Sequence, residues 1–191
     1  MKLPVLKGER VSLRTIMASD IEDRLKMGRH NEFVHMCGGD SFIEAEYPDR
    51  AAWESWYENQ KKEECAFIID LAGHCIGGAR FHHISAADKR ATYAVGIFDP
   101  TMYSKGIGTE VTGLMLKFGF EELKLHRIDL KVLNYNKRGI RCYEKCGFKV
   151  DGILRENAFI DGQYVSDIVM SILEDEYESL MNDKRESKQK G

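Results

Sequence analysis

A short loop with two glycines has the residue types needed to hold an anion. It lies between a strand predicted over 91–98 and a predicted amphipathic helix, and it reads Ser104, Lys105, Gly106, Ile107, Gly108 and Thr109. Glycines allow successive backbone N–H groups to point at one spot, and the N-terminus of the following helix adds about half a positive charge. Lys105 adds a mobile cation. We therefore expect this loop to bind a pyrophosphate, although the same glycines could serve only to turn the chain into the helix.

The spacing of the glycines excludes two common nucleotide-binding loops. A P-loop needs G-x-x-x-x-G-K-[ST], and the dinucleotide fingerprint needs G-x-G-x-x-G. Gly113 comes too late after Gly108 to complete the second pattern. A nucleotide kinase or a nicotinamide-dependent enzyme is therefore disfavoured.

A second segment, after a predicted strand over 127–133, carries polar, small and aromatic residues at fixed spacing. They are Asn136, Gly139, Ile140, Tyr143, Lys145, Gly147 and Phe148. Together with the upstream loop, this segment resembles the GNAT superfamily of acetyltransferases, which shows N-x-x-(small)-(aliphatic)-x-x-Y-x-K-x-G-F after a [QR]-x-x-G-x-[GA] loop. The resemblance extends from about Glu9 to Tyr177. The segments 152–156 and 159–164, followed by Asp167, resemble the branch of ribosomal-protein alanine N-acetyltransferases and spermidine N-acetyltransferases.

The resemblance implies that acetyl-coenzyme A binds where the strand over 91–98 separates from the strand over 127–133. The pantetheine arm is expected along the backbone of Gly96, Ile97 and Phe98, and the pyrophosphate on residues 104–109. Asn136 is expected to contact the cofactor. One position departs from the family pattern, because Tyr103 stands where the family has Gln or Arg. Backbone N–H groups and Lys105 are expected to bind the pyrophosphate instead.

The resemblance also places Tyr143 beside the sulfur of the thioester, as the proton donor to the departing thiolate. A phenol with an ordinary pKa near ~10 keeps its proton at neutral pH. The general base is less clear, because Thr92 occupies the position where many relatives have a glutamate, and a threonine cannot act as a base. His82, His83 and His126 are the other candidates, although a lone histidine is more often structural.

The acceptor is expected to be a primary amine that attacks the thioester directly. An α-amine, with a pKa of ~7.7–8.0, is about a tenth neutral at pH 7, whereas an amine with a pKa near ~10.4 is almost fully protonated. This difference favours the N-terminus of a peptide or protein, with a polyamine such as spermidine as the alternative. An acidic loop that contains Glu44 and Glu46 could bind the cationic substrate. A catalytically silent protein that binds coenzyme A also stays open, because of Thr92 and Tyr103.

Composition excludes several other classes of protein. The chain has 191 residues, of which 43% are apolar, and a formal net charge of −3, which argues against nucleic-acid binding. No segment approaches the length of a membrane span, and the N-terminus does not resemble a signal peptide. The five cysteines form no C-x-x-C pair, so neither a metal nor disulfides are expected. We expect a cytoplasmic monomer or homodimer that needs no metal.

Hydrophobic periodicity predicts one strand, two helices, three strands, a helix, a strand, a helix, two strands and a last helix. Asp161-Gly162 is a strong two-residue hairpin signal between the last two strands. The order predicts an α+β or mixed α/β fold. No linker or internal repeat divides the chain, so we expect a single domain over 1–181. The GNAT resemblance implies a central, mostly antiparallel mixed sheet flanked by helices. Residues 182–191 are expected to form a polar, disordered tail.

Overall fold

An eight-stranded sheet runs through the structure, a computed structural model that describes residues 3–39 and 48–189. In space the strands follow the order β1-β2-β3-β4-β5-β6-β8-β7. Neighbouring strands are antiparallel except β5 and β6, which run parallel. The strands are β1 (Leu6–Lys7), β2 (Ser12–Arg14), β3 (Ala66–Leu71), β4 (His74–Ser85), β5 (Arg90–Ile97), β6 (Arg127–Leu133), β7 (Lys149–Ile160) and β8 (Gln163–Leu173).

Helices connect and cover these strands. They are α1 (Ser19–Met27), α2 (Asn31–Met36), α3 (Arg50–Gln60), α4 (Ile107–Lys117), α5 (Lys137–Lys145) and α6 (Glu174–Gln189). A π-helical turn, Phe118–Glu122, extends α4. The predicted mixed α/β fold in a single domain, with a mostly antiparallel sheet, is confirmed.

The main core lies between the sheet and α4. Val111 and Met115, one turn apart on α4, are fully buried, as are Ile128 on β6 and Met170 and Ile172 on β8. Each such side chain contributes roughly 1.5–3 kcal/mol when it is removed from water. This packing holds α4, and therefore the glycine loop at its N-terminus, rigidly against the centre of the sheet.

A buried ion-pair network joins β2, α1 and β3. The Arg14 guanidinium donates to Asp20 Oδ1 at 2.7 Å and to Asp70 Oδ2 at 2.6 Å, and the Asp20 side chain is fully shielded from solvent. Asp20 Oδ2 also accepts the backbone N–H of Met17, at 2.7 Å, just before α1 begins at Ser19.

Three segments differ from the sequence prediction. The predicted order has two helices before the three strands, whereas the structure has a third, α2, whose Phe33 packs edge-on against Phe98 with ring centroids 5.4 Å apart. The first strand of the predicted order corresponds to the short strand β2, and an additional strand, β1, pairs with it. Residues 182–189, expected to belong to a disordered tail, continue α6, since Glu, Lys, Arg and Gln are good helix formers.

Parallel strands β5 and β6 are paired over only a short distance. Their register runs from Arg90↔Arg127 to Thr92↔Asp129 and ends there, although β5 continues to Ile97. Beyond Thr92, β5 is paired only with β4 on its other side, as far as Gly77↔Ile97. The strand edge from Val95 to Ile97 therefore faces a gap, as the resemblance predicts.

Candidate active site

The gap between β5 and β6 opens into a cavity of about 630 Å³. Its walls come from β5, the glycine loop, the start of α4, α2 and one face of α5. The lining residues are Phe33, Met36, Cys37, Val95, Gly96, Ile97, Met102, Tyr103, Ser104, Gly106, Ile107, Gly108, Thr109, Asn136, Lys137, Arg138, Gly139, Arg141, Cys142, Tyr143 and Lys145. The structure thus brings together the loop and the Asn136-to-Phe148 segment, which the sequence separates by about 30 residues.

The glycine loop ends in a left-handed residue that directs the start of α4 toward the cavity. Gly106 is the N-cap of α4, with φ of 79°, a conformation that favours glycine. The first bond within this helix runs from the N–H of Glu110 to the Gly106 carbonyl. The backbone N–H groups of Ile107, Gly108 and Thr109 have no acceptor inside the helix, as at any helix start. All three residues line the cavity. They form a site suited to an anion.

Arg10 fixes the loop from outside the cavity. Its guanidinium donates to the Lys105 carbonyl and, through Nε, to Glu110 Oε2 at 2.8 Å. Glu110 Oε1 also accepts the backbone N–H of Arg10, at 2.8 Å. These bonds lower the pKa of Glu110 although burial alone would raise it. Sequence reasoning treats Arg10 only as part of a strand, and no local pattern links it to a loop about 100 residues away.

The cations in the cavity come from α5 and not from the loop. Lys105 is absent from the described residues that line the cavity, and its Nζ lies 3.9 Å from Met102 Sδ. The basic residues of the lining are Lys137, Arg138, Arg141 and Lys145. Sequence reasoning overlooks Arg138 and Arg141, although the charged face of a helix that follows the glycine loop is a usable signal for them.

Asn136 both lines the cavity and starts α5. Its Oδ1 accepts the backbone N–H of Gly139 at 2.9 Å, which is a side-chain N-cap. The close approach of Gly139 to this amide explains the small residue there, because a Cβ would lie 3.0 Å from the Asn136 side chain. The amide NH2 group is the part of Asn136 that is suited to contact a cofactor.

Tyr143 lies in an aromatic wall of the cavity. Its ring centroid is 5.8 Å from that of Phe148 and 6.4 Å from that of Tyr93. Burial raises the pKa of Tyr143 well above the usual value for a phenol, and the neighbouring Cys142 raises it further. A thiol has a pKa near ~8.5, so full transfer of the phenol proton to a thiolate is uphill in free energy. The Tyr143 hydroxyl is better suited to donate a hydrogen bond to a developing thiolate.

Phe98 lies outside the cavity lining, in contrast to Gly96 and Ile97. The Phe98 N–H donates to the Ile76 carbonyl at 2.9 Å, and the Arg24 guanidinium lies 3.8 Å from the centre of its ring. Its backbone N–H is therefore unavailable to a ligand. The Phe33 ring packs closely over Gly96, since a Cβ at this position would lie only 3.2 Å from Phe33 Cε2.

The candidate bases lie away from the cavity lining. Thr92 Oγ1 donates to Asp129 Oδ1 at 3.0 Å. His82 Nδ1 lies 3.1 Å from His83 Nδ1, and burial lowers the pKa of His82. His126 is half-exposed and lies 3.7 Å from Glu174. Among the described residues that line the cavity, none is a histidine, aspartate or glutamate.

The α2 wall is attached at two points to the other side of the cavity. The Tyr135 hydroxyl donates to the His35 carbonyl at 2.6 Å, and His35 Nδ1 lies 2.9 Å from Asp161 Oδ2 in the β7–β8 turn. This turn contains the predicted Asp161-Gly162 pair, both at positive φ. Glu44 and Glu46, which were predicted to bind substrate, lie outside the described residues.

Residues 3–39 and 48–189 form neither a helical membrane span nor a metal-binding cluster. In these ranges no helix has the length and apolar character needed to cross a membrane. No group of three or more His, Cys, Asp or Glu side chains comes together there in a way that could hold a metal ion.

Comparison with known proteins identifies the family. Residues 10–149 match the family model described as the acetyltransferase (GNAT) domain. The chain is 30% identical over 175 residues to "Probable N-acetyltransferase YjcK" of Bacillus subtilis, which covers 88% of this chain and 97% of that protein. It is 32% identical over 116 residues to the spermidine N(1)-acetyltransferase of Escherichia coli, covering 61% and 62% of the two chains. The Vibrio cholerae spermidine N-acetyltransferase, solved in complex with CoA and spermine, superposes with a TM-score of 0.74 at 24% identity, covering 89% of this chain and 99% of that one.

The cavity fits acetyl-coenzyme A in its chemistry. A helix N-terminus preceded by a left-handed glycine suits the pyrophosphate, and the unpaired edge of β5 suits the amide groups of the pantetheine arm. The basic residues on α5 offset the charge of the phosphates. The family match covers both segments that form this cavity. The chain belongs to the GNAT family and is an N-acetyltransferase that uses acetyl-coenzyme A.

Proposed function

We propose that this enzyme acetylates the N-terminal α-amine of a peptide or protein. The observation that carries the proposal is that none of the described residues in the cavity lining is a histidine, aspartate or glutamate, the usual general bases. Thr92, at the family's glutamate position, has a hydroxyl bound to Asp129. An acceptor that arrives already neutral needs no such base. At pH 7 about a tenth of an α-amine is neutral, against roughly four in ten thousand molecules of an amine with a pKa near ~10.4.

The chain's own residues would position and assist the reaction. Acetyl-coenzyme A supplies an acetyl group activated as a thioester. Ser104 and residues 106–109 would hold its phosphate end, Asn136 would contact the cofactor, and the backbone of Gly96 and Ile97 would align its arm. Tyr143 would donate a hydrogen bond at the sulfur as negative charge develops there. Burial keeps the Tyr143 hydroxyl protonated far above neutral pH, which suits a hydrogen-bond donor.

A polyamine is the second candidate acceptor, and one specific observation favours it. Relatives of this chain include spermidine N(1)-acetyltransferase. The acidic residues of the 40–49 segment, which include Glu44 and Glu46, are the part of the chain that would bind a polycation.

A panel of acceptors assayed over a range of pH separates the two candidates. N-terminal peptides and spermidine would be compared by kcat/KM, with the release of coenzyme A as the signal. For α-amines we expect kcat/KM to rise with pH and level off near ~8, because the neutral fraction of the acceptor controls the rate. Blocking the peptide N-terminus should abolish turnover even when the peptide contains lysine.

The comparison also has a result that would reject the first candidate. If spermidine had a kcat/KM at least tenfold above that of every peptide, the acceptor would be a polyamine. Glu44→Gln and Glu46→Gln, with Glu58→Gln on α3 as a matched surface control, would then test whether the acidic segment binds it.

A further inference from the structure

The loop of this enzyme lacks the side-chain cation or amide that the family pattern has three residues before its first glycine. Tyr103 occupies that position. Its hydroxyl donates to the Ile97 carbonyl at 3.1 Å, so the single proton of this group is already used. The side chain lines the cavity and has no donor left for an anion.

Arg138, on α5, covers the face of this ring. The centre of its guanidinium lies 4.0 Å from the ring centroid of Tyr103, and both residues line the cavity beside Gly106 and Gly108. Arginine stacks well on aromatic rings and retains the in-plane N–H groups that bind phosphate in pairs. The Tyr103 ring therefore holds the Arg138 cation at a position where tyrosine itself cannot supply a charge.

A weak ion pair holds the guanidinium in this structure. Arg138 Nη2 donates to Glu32 Oε1 on α2 at 2.9 Å, and the two side chains are 39% and 47% exposed. An exposed pair of this kind stabilises a protein little. The pyrophosphate carries two negative charges against one on the carboxylate and accepts two parallel hydrogen bonds, so it would displace Glu32.

We propose that Arg138 binds the pyrophosphate of acetyl-coenzyme A, that Tyr103 is the platform that positions it, and that Glu32 is the partner it exchanges for the cofactor. The inference rests on the assignment of the glycine loop and α5 as the cofactor site. In the family pattern the Gln or Arg at the position of Tyr103 belongs to the loop. Here Arg138 on α5 takes over its role. Cofactor binding therefore breaks the Arg138–Glu32 contact between α5 and α2.

Calorimetric titration with three probes tests the contact. The probes are coenzyme A, 3′-dephospho-coenzyme A, which retains the pyrophosphate, and pantetheine, which has no phosphate. We expect Arg138→Ala to weaken binding of the first two by about 10–100-fold, the range for a hydrogen bond to a charged group, and to leave pantetheine binding unchanged. Arg90→Ala is the matched control, because Arg90 forms an exposed pair with Asp88 outside the cavity lining.

Substitutions of the other two residues test the arrangement around Arg138. Glu32→Gln should tighten binding of coenzyme A several-fold, since it removes the competing acceptor. Tyr103→Phe keeps the stacking face and should bind nearly as the wild type does, whereas Tyr103→Leu should lose most of what Arg138→Ala loses. Adding Tyr103→Arg to Arg138→Ala should restore binding, because it returns a cation to the family position.

The results distinguish failure of this inference from failure of the site itself. If the wild type did not bind coenzyme A, the cofactor site would be wrong. If the wild type bound and Arg138→Ala bound equally well, Arg138 would have no role in cofactor binding. A loss confined to coenzyme A, with 3′-dephospho-coenzyme A unaffected, would overturn the pyrophosphate assignment in favour of the 3′-phosphate.

Discussion

The ring of Tyr143 packs against Tyr93 and Phe148, and this packing determines which chemistry its hydroxyl can perform. Burial disfavours the charged phenolate and so raises the pKa of the group. A hydroxyl that resists ionisation is a poor proton donor in full transfer but a stable hydrogen-bond donor. We therefore expect Tyr143 to stabilise the leaving thiolate and solvent to supply the net proton.

Tyr143→Phe should lower kcat by about 10²-fold, near the lower end of the range for removing one hydrogen-bond donor to a developing negative charge. The affinity for coenzyme A and the melting temperature should change little, because the ring and its packing remain. In the wild type, kcat should not fall as the pH rises to ~10, since the raised pKa keeps Tyr143 protonated through the range in which a free phenol ionises. Measuring kcat, Tm and the pH profile on one preparation checks this prediction. A variant with kcat within about threefold of wild type, measured under conditions where chemistry limits turnover, would show that the tyrosine is only structural.

Gly108→Val should abolish coenzyme A binding without unfolding the protein. A Cβ at Gly108 would lie 3.4 Å from Cys142 Sγ, an ordinary contact, but the added methyl groups would fill the space above the helix N-terminus. Gly113→Ala on the same helix is the control, because a Cβ there meets none of the described atoms within 4 Å. Binding is measured by titration, and retention of affinity in Gly108→Val would contradict the assignment of the glycine loop as the phosphate site.

At the scale of elements, the site depends on how β2, α1 and β3 are held together. Arg14 on β2 donates to Asp20 on α1 and to Asp70 on β3, and all three groups are largely removed from water. Breaking a buried pair is costly because the remaining charge stays buried without its partner. This network stabilises the N-terminal part of the sheet, from which Arg10 reaches the glycine loop.

Asp20→Ala should destabilise the protein by about 3–5 kcal/mol, since it leaves Arg14 with one carboxylate in place of two. Glu22→Ala, on the same helix, removes the partner of Arg50 from a pair whose side chains are 50% and 56% exposed. The midpoint of urea unfolding should fall sharply for the first variant and stay nearly unchanged for the second. Equal midpoints for the two variants would show that the buried network contributes little.

At the scale of the whole molecule, the cavity exists because one pair of parallel strands diverges inside a sheet that is otherwise antiparallel. Parallel β5 and β6 need a long connection, which the loop, α4 and the π-helical turn supply. Beyond Thr92 and Asp129 the strands separate, and α5 returns the chain to the open side of the gap. The site therefore draws on elements from both halves of the sheet, and ligand binding should stabilise the fold as a unit.

Coenzyme A should raise the melting temperature of the whole protein. A ligand at ~100 times its Kd adds about 2.7 kcal/mol to stability, which corresponds to roughly 5–10 °C for a domain of this size. Pantetheine at the same concentration should give a smaller shift, because it makes no contact with the phosphate site. Thermal scans with and without each compound test this, and equal shifts would argue against an anion site.

The sequence by itself determined the features that depend on short spacing. The alternation over 127–133, the capping asparagine at 136, the helix end at Gly147 and the Asp161-Gly162 turn are each specified by a few neighbouring residues. The two motifs that carry the family resemblance are also local. They sufficed to predict the fold class, the family and the use of acetyl-coenzyme A.

Only the tertiary structure decided which side chains meet across the cavity. Arg10 reaches the carbonyl of Lys105, the Lys105 side chain lies by Met102, and Arg138 stacks on Tyr103. Helix α2 is stabilised by the packing of Phe33 against Phe98, which lies far along the chain. The physical reason is that hydrophobic periodicity specifies which face of an element is buried but not which element it packs against. The orientation of long charged side chains depends on partners that come together only in the folded protein.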